Sequence, residues 1–148
     1  MTHSILMIED EKIVRISLAD ALKAEGYIVL AVADGHAAVA AIEEGDFSLV
    51  ITDVRLPGVG GIEILRKSLS EAPSTPVIMM TAYGNIKDAV EAMRIGAFDY
   101  ITKPFDLDEM LLTVSKALEV HSITEENIRL RKELGNQFGV PNIIDESR

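Results

Sequence analysis

Leu49-Val50-Ile51-Thr52-Asp53 is the stretch that decides the fold. Its apolar residues are consecutive, not alternate, and a carboxylate follows at once. A strand patterned this way is buried on both faces, as in a parallel sheet covered by helices. Four similar runs flank it: Ile5 to Ile8, Tyr27 to Val32, Val77 to Thr81 and Tyr100 to Lys103. Between them lie segments of helical period. Glu11 to Glu25 carries Val14, Leu18, Ala21 and Leu22 on one face; His36 to Glu44 follows Asp34-Gly35. Gly61 to Ser70 presents Ile62, Leu65 and Leu69, and Asn85 to Ile95 presents Ile86, Ala89, Val90 and Met93. Gly26, Gly45 and Gly96 stand just past three of these helices, where helices commonly stop. Strand and helix alternate five times, which predicts a three-layer, doubly wound α/β domain with helices on both faces.

The last helix is predicted from Asp106, with Leu107, Leu111, Val114, Leu118 and His121 on one stripe. The pattern weakens but continues through Glu125, Ile128 and Lys132 to Leu134, and Gly135 is expected to end it. Asp106 to about Ser122 reads as the final domain helix and Ile123 to Leu134 as a helical linker. That linker is either one strand of a coiled-coil seam or a solvated helix. Val140-Pro141-Asn142-Ile143-Ile144 reads as loop with an apolar start.

The chain has 148 residues, 48% hydrophobic and 26% charged, which suits one soluble domain with an appendage. No apolar run reaches the roughly 20 residues that span a bilayer. The N-terminus lacks a basic stretch followed by an apolar core, so a cytoplasmic location is expected. Absence of cysteine excludes disulfides, thiolate metal sites and cysteine nucleophiles. Fourteen basic against 24 acidic residues give a formal charge of −10, which disfavours direct contact with nucleic acid or anionic membrane.

The chemistry-bearing residues sit at strand ends. Glu9 and Asp10 follow the first strand, Asp53 follows the third, Thr81 ends the fourth, and Lys103 ends the fifth and precedes Pro104. Ligands of doubly wound sheets bind outside the carboxyl ends of the strands, where strand order reverses. In a 2-1-3-4-5 order the first and third strands are neighbours, so Glu9, Asp10 and Asp53 converge. Three carboxylates in one pocket stay ionised only beside a compensating cation. An oxygen-only donor set suits a hard cation such as Mg²⁺. A carboxylate is also a competent nucleophile toward phosphorus. Lys103 and the Thr81 hydroxyl would supply charge and a hydrogen bond to phosphoryl oxygens.

Four segments together resemble the receiver domain of two-component response regulators: Met7-Ile8-Glu9-Asp10-Glu11, Ile51-Thr52-Asp53-Val54-Arg55-Leu56-Pro57-Gly58, Met80-Thr81-Ala82-Tyr83-Gly84 and Asp99-Tyr100-Ile101-Thr102-Lys103-Pro104-Phe105. The resemblance spans roughly residues 4 to 122. It implies a flavodoxin-like (βα)5 fold with sheet order 2-1-3-4-5 and an extended C-terminal helix. It further implies that Asp53 is the phosphoacceptor and that Glu9, Asp10, Asp53 and the backbone carbonyl of Arg55 hold Mg²⁺. Lys103 then contacts the phosphoryl group, while Thr81 and Tyr100 act as switch residues that remodel the face of the fourth helix, fifth strand and fifth helix. A cis Lys103–Pro104 peptide is implied too. Glu9 stands where many relatives carry Asp, and its longer arm leaves open direct or water-mediated ligation.

Ala82-Tyr83-Gly84-Asn85, Ala97-Phe98-Asp99-Tyr100 and the segment Glu126 to Leu134 are similar to NtrC-type regulators, in which a receiver and helical linker precede an AAA+ ATPase that activates sigma-54 polymerase. That similarity implies a receiver over residues 1–122. Residues 123–148 would be the linker and the start of an ATPase domain whose phosphate-binding loop this sequence does not contain. The implied partners are a sensor histidine kinase, the AAA+ output domain and a second copy, paired through the fourth helix–fifth strand–fifth helix face or the linker helix. The expected role is a phosphorylation switch, not a metabolic enzyme. One rival is a phosphatase with an aspartyl nucleophile, which usually carries a second Asp two residues on, where this chain has Arg55. Another is a flavin binder of the same strand order, but acidic Glu9-Asp10-Glu11 replaces the phosphate loop that would need. His3, His36 and His121 show no ligand spacing, and Met79-Met80 reads as core strand.

Overall fold

The computed structural model describes residues 2–138. Five strands and five helices alternate: β1 (Ser4–Ile8), α1 (Lys12–Ala24), β2 (Ile28–Val32), α2 (Gly35–Glu44), β3 (Leu49–Asp53), α3 (Gly61–Glu71), β4 (Val77–Ala82), α4 (Ile86–Ile95), β5 (Asp99–Lys103) and α5 (Leu107–Phe138). All strands pair in parallel, in the order β2-β1-β3-β4-β5. The predicted doubly wound topology is the observed one.

Because side chains alternate across the pleat, the three inner strands β1, β3 and β4 each feed two cores. Ile5, Met7, Ile51, Ile78, Met80 and Ile101 face Leu18 and Leu22 of α1 and Met110, Val114 and Leu118 of α5. Leu6, Ile8, Val50, Val77 and Met79 face Ala38 and Ile42 of α2, Ile64 and Leu65 of α3, and Ala92 of α4. β3 is central and every one of its residues is buried, as its unbroken apolar run requires. The edge strand β2 is more open, with Ile28 58% exposed.

Three details correct the sequence reading. In α4 the buried residues are Ala89 and Ala92, while Ile86, Val90 and Met93 are exposed. The larger residues of the predicted stripe face away from the sheet, and the inward contact is made by Ala89, Ala92 and the partly buried Ile95. In α5 the buried stripe is Met110, Val114, Ala117 and Leu118, with Leu107 exposed. Finally, α5 does not end at Gly135 but runs through it to Phe138. One glycine inside a helix costs about 1 kcal/mol relative to alanine, too little to break it without a proline at hand. The segment 139–148, expected to hold the loop and apolar start, lies outside the described residues.

At the base of the sheet, α5 is fastened as it leaves the core. His121 Nδ1 lies 3.0 Å from the Ser74 carbonyl, and the Ser74 hydroxyl donates to Glu125 at 2.7 Å. Among the described residues no helix is long and apolar enough to cross a membrane.

Leu65, fully buried between α3 and the sheet, is expected to cost about 2–5 kcal/mol of folding free energy as Leu65→Ala. Ile28→Thr on the exposed edge is expected to change it by less than about 0.5 kcal/mol. Urea unfolding of both variants measures the contrast.

Candidate functional site

The site forms where β1, β3 and β5 end. β1 and β3 are adjacent, with Ile8 paired to Thr52. The residues that follow each pair, Glu9–Asp10 and Asp53, therefore emerge side by side although 43 or more positions apart in sequence. Glu9, Asp10 and Asp53 each offer a carboxylate oxygen, and these oxygens lie within 4.8 Å of one another. Glu9 is fully buried and Asp53 nearly so.

Lys103, at the end of β5, reaches into this group. Its Nζ donates to Asp53 Oδ2 at 2.7 Å, Glu9 Oε1 at 2.9 Å and Glu11 Oε1 at 3.0 Å. One ammonium thus serves several carboxylates. Burial raises the Glu9 carboxyl above its ordinary value, the neighbouring Asp53 adds to this, and Lys103 and the Glu11 amide offset only part of it. For Lys103, burial opposes the charged form, but hydrogen bonds to Asp53, Glu9 and Glu11 outweigh it and raise the ammonium above its usual range. The contacts themselves show the imbalance: one ammonium meets Asp53, Glu9 and Glu11, and Asp10 adds a further carboxylate beside them. An all-oxygen set with this deficit fits a hard divalent ion.

The remaining predicted residues fall around this centre. Thr81 is buried and follows Met80, the register partner of Asp53. Arg55 donates its backbone N–H to Asp53 Oδ1 at 3.3 Å. Arg55, Asp53, Lys103 and Glu11 line an open cleft of about 450 Å³. Tyr100 is 43% exposed and lines a separate cleft with Tyr83 and Ile86, on the α4–β5–α5 side. The Lys103–Pro104 peptide is cis.

The response regulator receiver domain model matches residues 5–115. The chain belongs to that family. Over 145 residues, 98% of its length, this receiver chain is 38% identical to the regulatory protein AtoC of Escherichia coli, and it spans 32% of AtoC. It superposes on NtrX of Brucella abortus with a TM-score of 0.82 and 36% identity, over 88% of this chain and 30% of that one. It superposes on a CheY-like receiver domain protein of Methanospirillum hungatei with a TM-score of 0.79 and 29% identity, over 84% of this chain and 99% of that one. The chain therefore spans about a third of its longer relatives and nearly all of an isolated receiver.

Three features of this receiver's site were not singled out in the sequence. Glu11 binds Lys103, although its place beside Glu9-Asp10 was its only signal. The Arg55 guanidinium is bound to Asp88 at 3.1 Å, and Asp88 also accepts from the Asn85 side chain at 2.8 Å. The loop after β3 is so tied to the first turn of α4, across 33 positions that no local pattern connects. Arg15 donates to the Glu9 carbonyl at 2.8 Å and holds the acidic turn against α1.

Gly61 explains how the receiver's β3–α3 loop closes under the end of β3. A Cβ there would stand 2.2 Å from the Asp53 carbonyl oxygen, whereas at Gly60 the nearest atom is 3.8 Å away. Gly61→Ala is expected to destabilise the fold by about 1–3 kcal/mol and to shift the Asp53 backbone resonance. Gly60→Ala is expected to leave that resonance in place; two-dimensional amide NMR with thermal melts distinguishes the pair.

Proposed function

We propose that this receiver is a phosphorylation switch of a two-component system, with Asp53 as the acceptor. The observation that carries the reading is the pairing of a nearly buried Asp53 carboxylate with Lys103 at 2.7 Å inside a carboxylate trio that shares cation-binding distance. In this reading Glu9, Asp10, Asp53 and the backbone carbonyl of Arg55 hold Mg²⁺. With the ion held there, these residues would gain the positive charge needed to neutralise the acceptor and the incoming phosphoryl oxygens.

The donor is a phosphohistidine of a sensor kinase or a small acyl phosphate. An Asp53 carboxylate oxygen forms the new O–P bond as the donor's P–N or P–O bond breaks. The leaving imidazole or carboxylate departs with the bonding electron pair, and the imidazole is then free to take a proton. Lys103 shifts its hydrogen bonding toward the phosphoryl oxygens, and the Thr81 hydroxyl donates to another. Slow reversal comes from water attacking phosphorus, which releases phosphate and restores the carboxylate. Arg55 holds the position where a phosphatase would need a second acid and is ion-paired to Asp88, so rapid turnover is not supported.

Tyr100 then turns inward, and the apolar α4–β5–α5 surface changes partners. That surface carries exposed Ile86, Val90 and Tyr100, and it and the linker helix are the two places for a homodimer. Residues 1–122 form the receiver and residues 123–148 the linker and approach to an AAA+ output domain of the sigma-54-activating kind. The likeness to AtoC supports this, because it continues over 98% of the chain, well past the receiver. The parent protein acts in the cytoplasm, and this segment makes no contact with nucleic acid.

Incubation with acetyl phosphate and Mg²⁺ is expected to add one phosphoryl group by intact mass, and Asp53→Asn is expected to add none. Uptake by Asp53→Asn would refute the acceptor assignment. Separately, Mg²⁺ at about a hundred times its dissociation constant is expected to stabilise the fold by about 2.7 kcal/mol. The gain should vanish on adding EDTA and shrink sharply in Glu9→Gln; thermal melts measure it.

A further inference from the structure

Lys103 has three N–H donors, and each meets a different carboxylate: Asp53 at 2.7 Å, Glu9 at 2.9 Å and Glu11 at 3.0 Å. Two of these anions belong to the trio that can share a cation; Glu11 does not. Its side chain is 63% exposed, at the mouth of the cleft. Its position is nonetheless fixed. Glu11 stands at the residue preceding α1, its backbone N–H donates to Glu9 Oε2 at 2.9 Å, and its carbonyl accepts from the Arg15 amide at 2.9 Å. The Arg15 guanidinium holds the Glu9 carbonyl from the same side. Glu11 is therefore the one partner of Lys103 whose oxygens are not also wanted by a metal.

We propose that Glu11 is a positioning residue that tethers the Lys103 ammonium at the rim of the pocket while Glu9 and Asp53 are engaged elsewhere. The proposal rests on the reading of Asp53 as acceptor and Glu9 and Asp53 as cation ligands. The physical argument is one of competition. An ammonium and a divalent ion cannot both take the same oxygens of Glu9 and Asp53. With Glu11 present, Lys103 gives up two hydrogen bonds and keeps one. Without Glu11, it has nowhere to go but the ligand oxygens, and it competes harder with the ion. Once the ion has taken those oxygens at saturation, an untethered Nζ is no longer held near the acceptor when phosphoryl oxygens arrive.

The test is a double-mutant cycle on Mg²⁺ affinity, measured by calorimetry with Mg²⁺ alone and no phosphodonor. The four chains are wild type, Glu11→Gln, Lys103→Ala and the double variant. Removing a nearby negative charge weakens Mg²⁺ in either background, so the coupling between the two changes is the diagnostic quantity. Glu11→Gln is expected to weaken Mg²⁺ about two- to five-fold more with Lys103 present than with alanine there, the range for a solvent-screened ion pair. At saturating Mg²⁺ the same variant is expected to take up phosphoryl from acetyl phosphate about two- to five-fold more slowly. Equal weakening in both backgrounds, or an unchanged rate at saturating Mg²⁺, overturns the tether and leaves Glu11 a diffuse surface charge. If wild type itself takes up no phosphoryl group, the acceptor reading falls instead, and the calorimetric cycle alone decides the role of Glu11.

Discussion

One ammonium among too many carboxylates is the constraint on which the rest of this site depends. Lys103 comes from the edge strand β5, yet it reaches past β4 to contact Asp53 on β3 and Glu9 beyond β1. It binds the carboxyl ends of three strands into one centre. Burial raises the Glu9 carboxyl above its ordinary value, and its contact with the ammonium offsets only part of that. A pocket in this condition favours whatever brings positive charge to it. Its geometry is set by close backbone approaches, with Gly61 under the Asp53 carbonyl and Arg15 against the turn that follows β1.

The sheet was legible because parallel strands buried on both faces leave runs of apolar residues that few other structures tolerate. The convergence of Glu9, Asp10 and Asp53 followed from strand order alone. Helix faces were less legible, for a physical reason. A stripe at helical spacing says that something apolar covers it, but not what. In α4 the fully buried residues are Ala89 and Ala92, and alanine contributes little to any hydrophobic pattern. The larger Ile86, Val90 and Met93, which dominate the pattern, point outward. The end of α5 was misplaced because a lone glycine weakens a helix without stopping it.

Polar pairings escaped the sequence reading altogether. Arg55, in the loop after β3, and Asp88, in the first turn of α4, meet because β3 and β4 are neighbours. Their contact joins the loop that follows β3 to the helix whose larger apolar residues are uncovered. Asn85 adds a second hydrogen bond to Asp88 while capping α4 with its side-chain oxygen. The start of α4 is thus held by side chains more than by packing, and such contacts exchange at lower energetic cost than a buried core.

The unbroken α5 has a mechanical consequence. It begins beside the pocket, runs back along the sheet and leaves at the opposite end, where Ser74 grips His121 and Glu125. From residue 122 to residue 138 it projects about 24 Å at 1.5 Å per residue. A rotation of about 5° at that grip would carry the tip about 2 Å, as much as separates one packing arrangement of side chains from the next. The helix has the geometry of a lever arm whose fulcrum lies at the end of the domain remote from the carboxylate pocket.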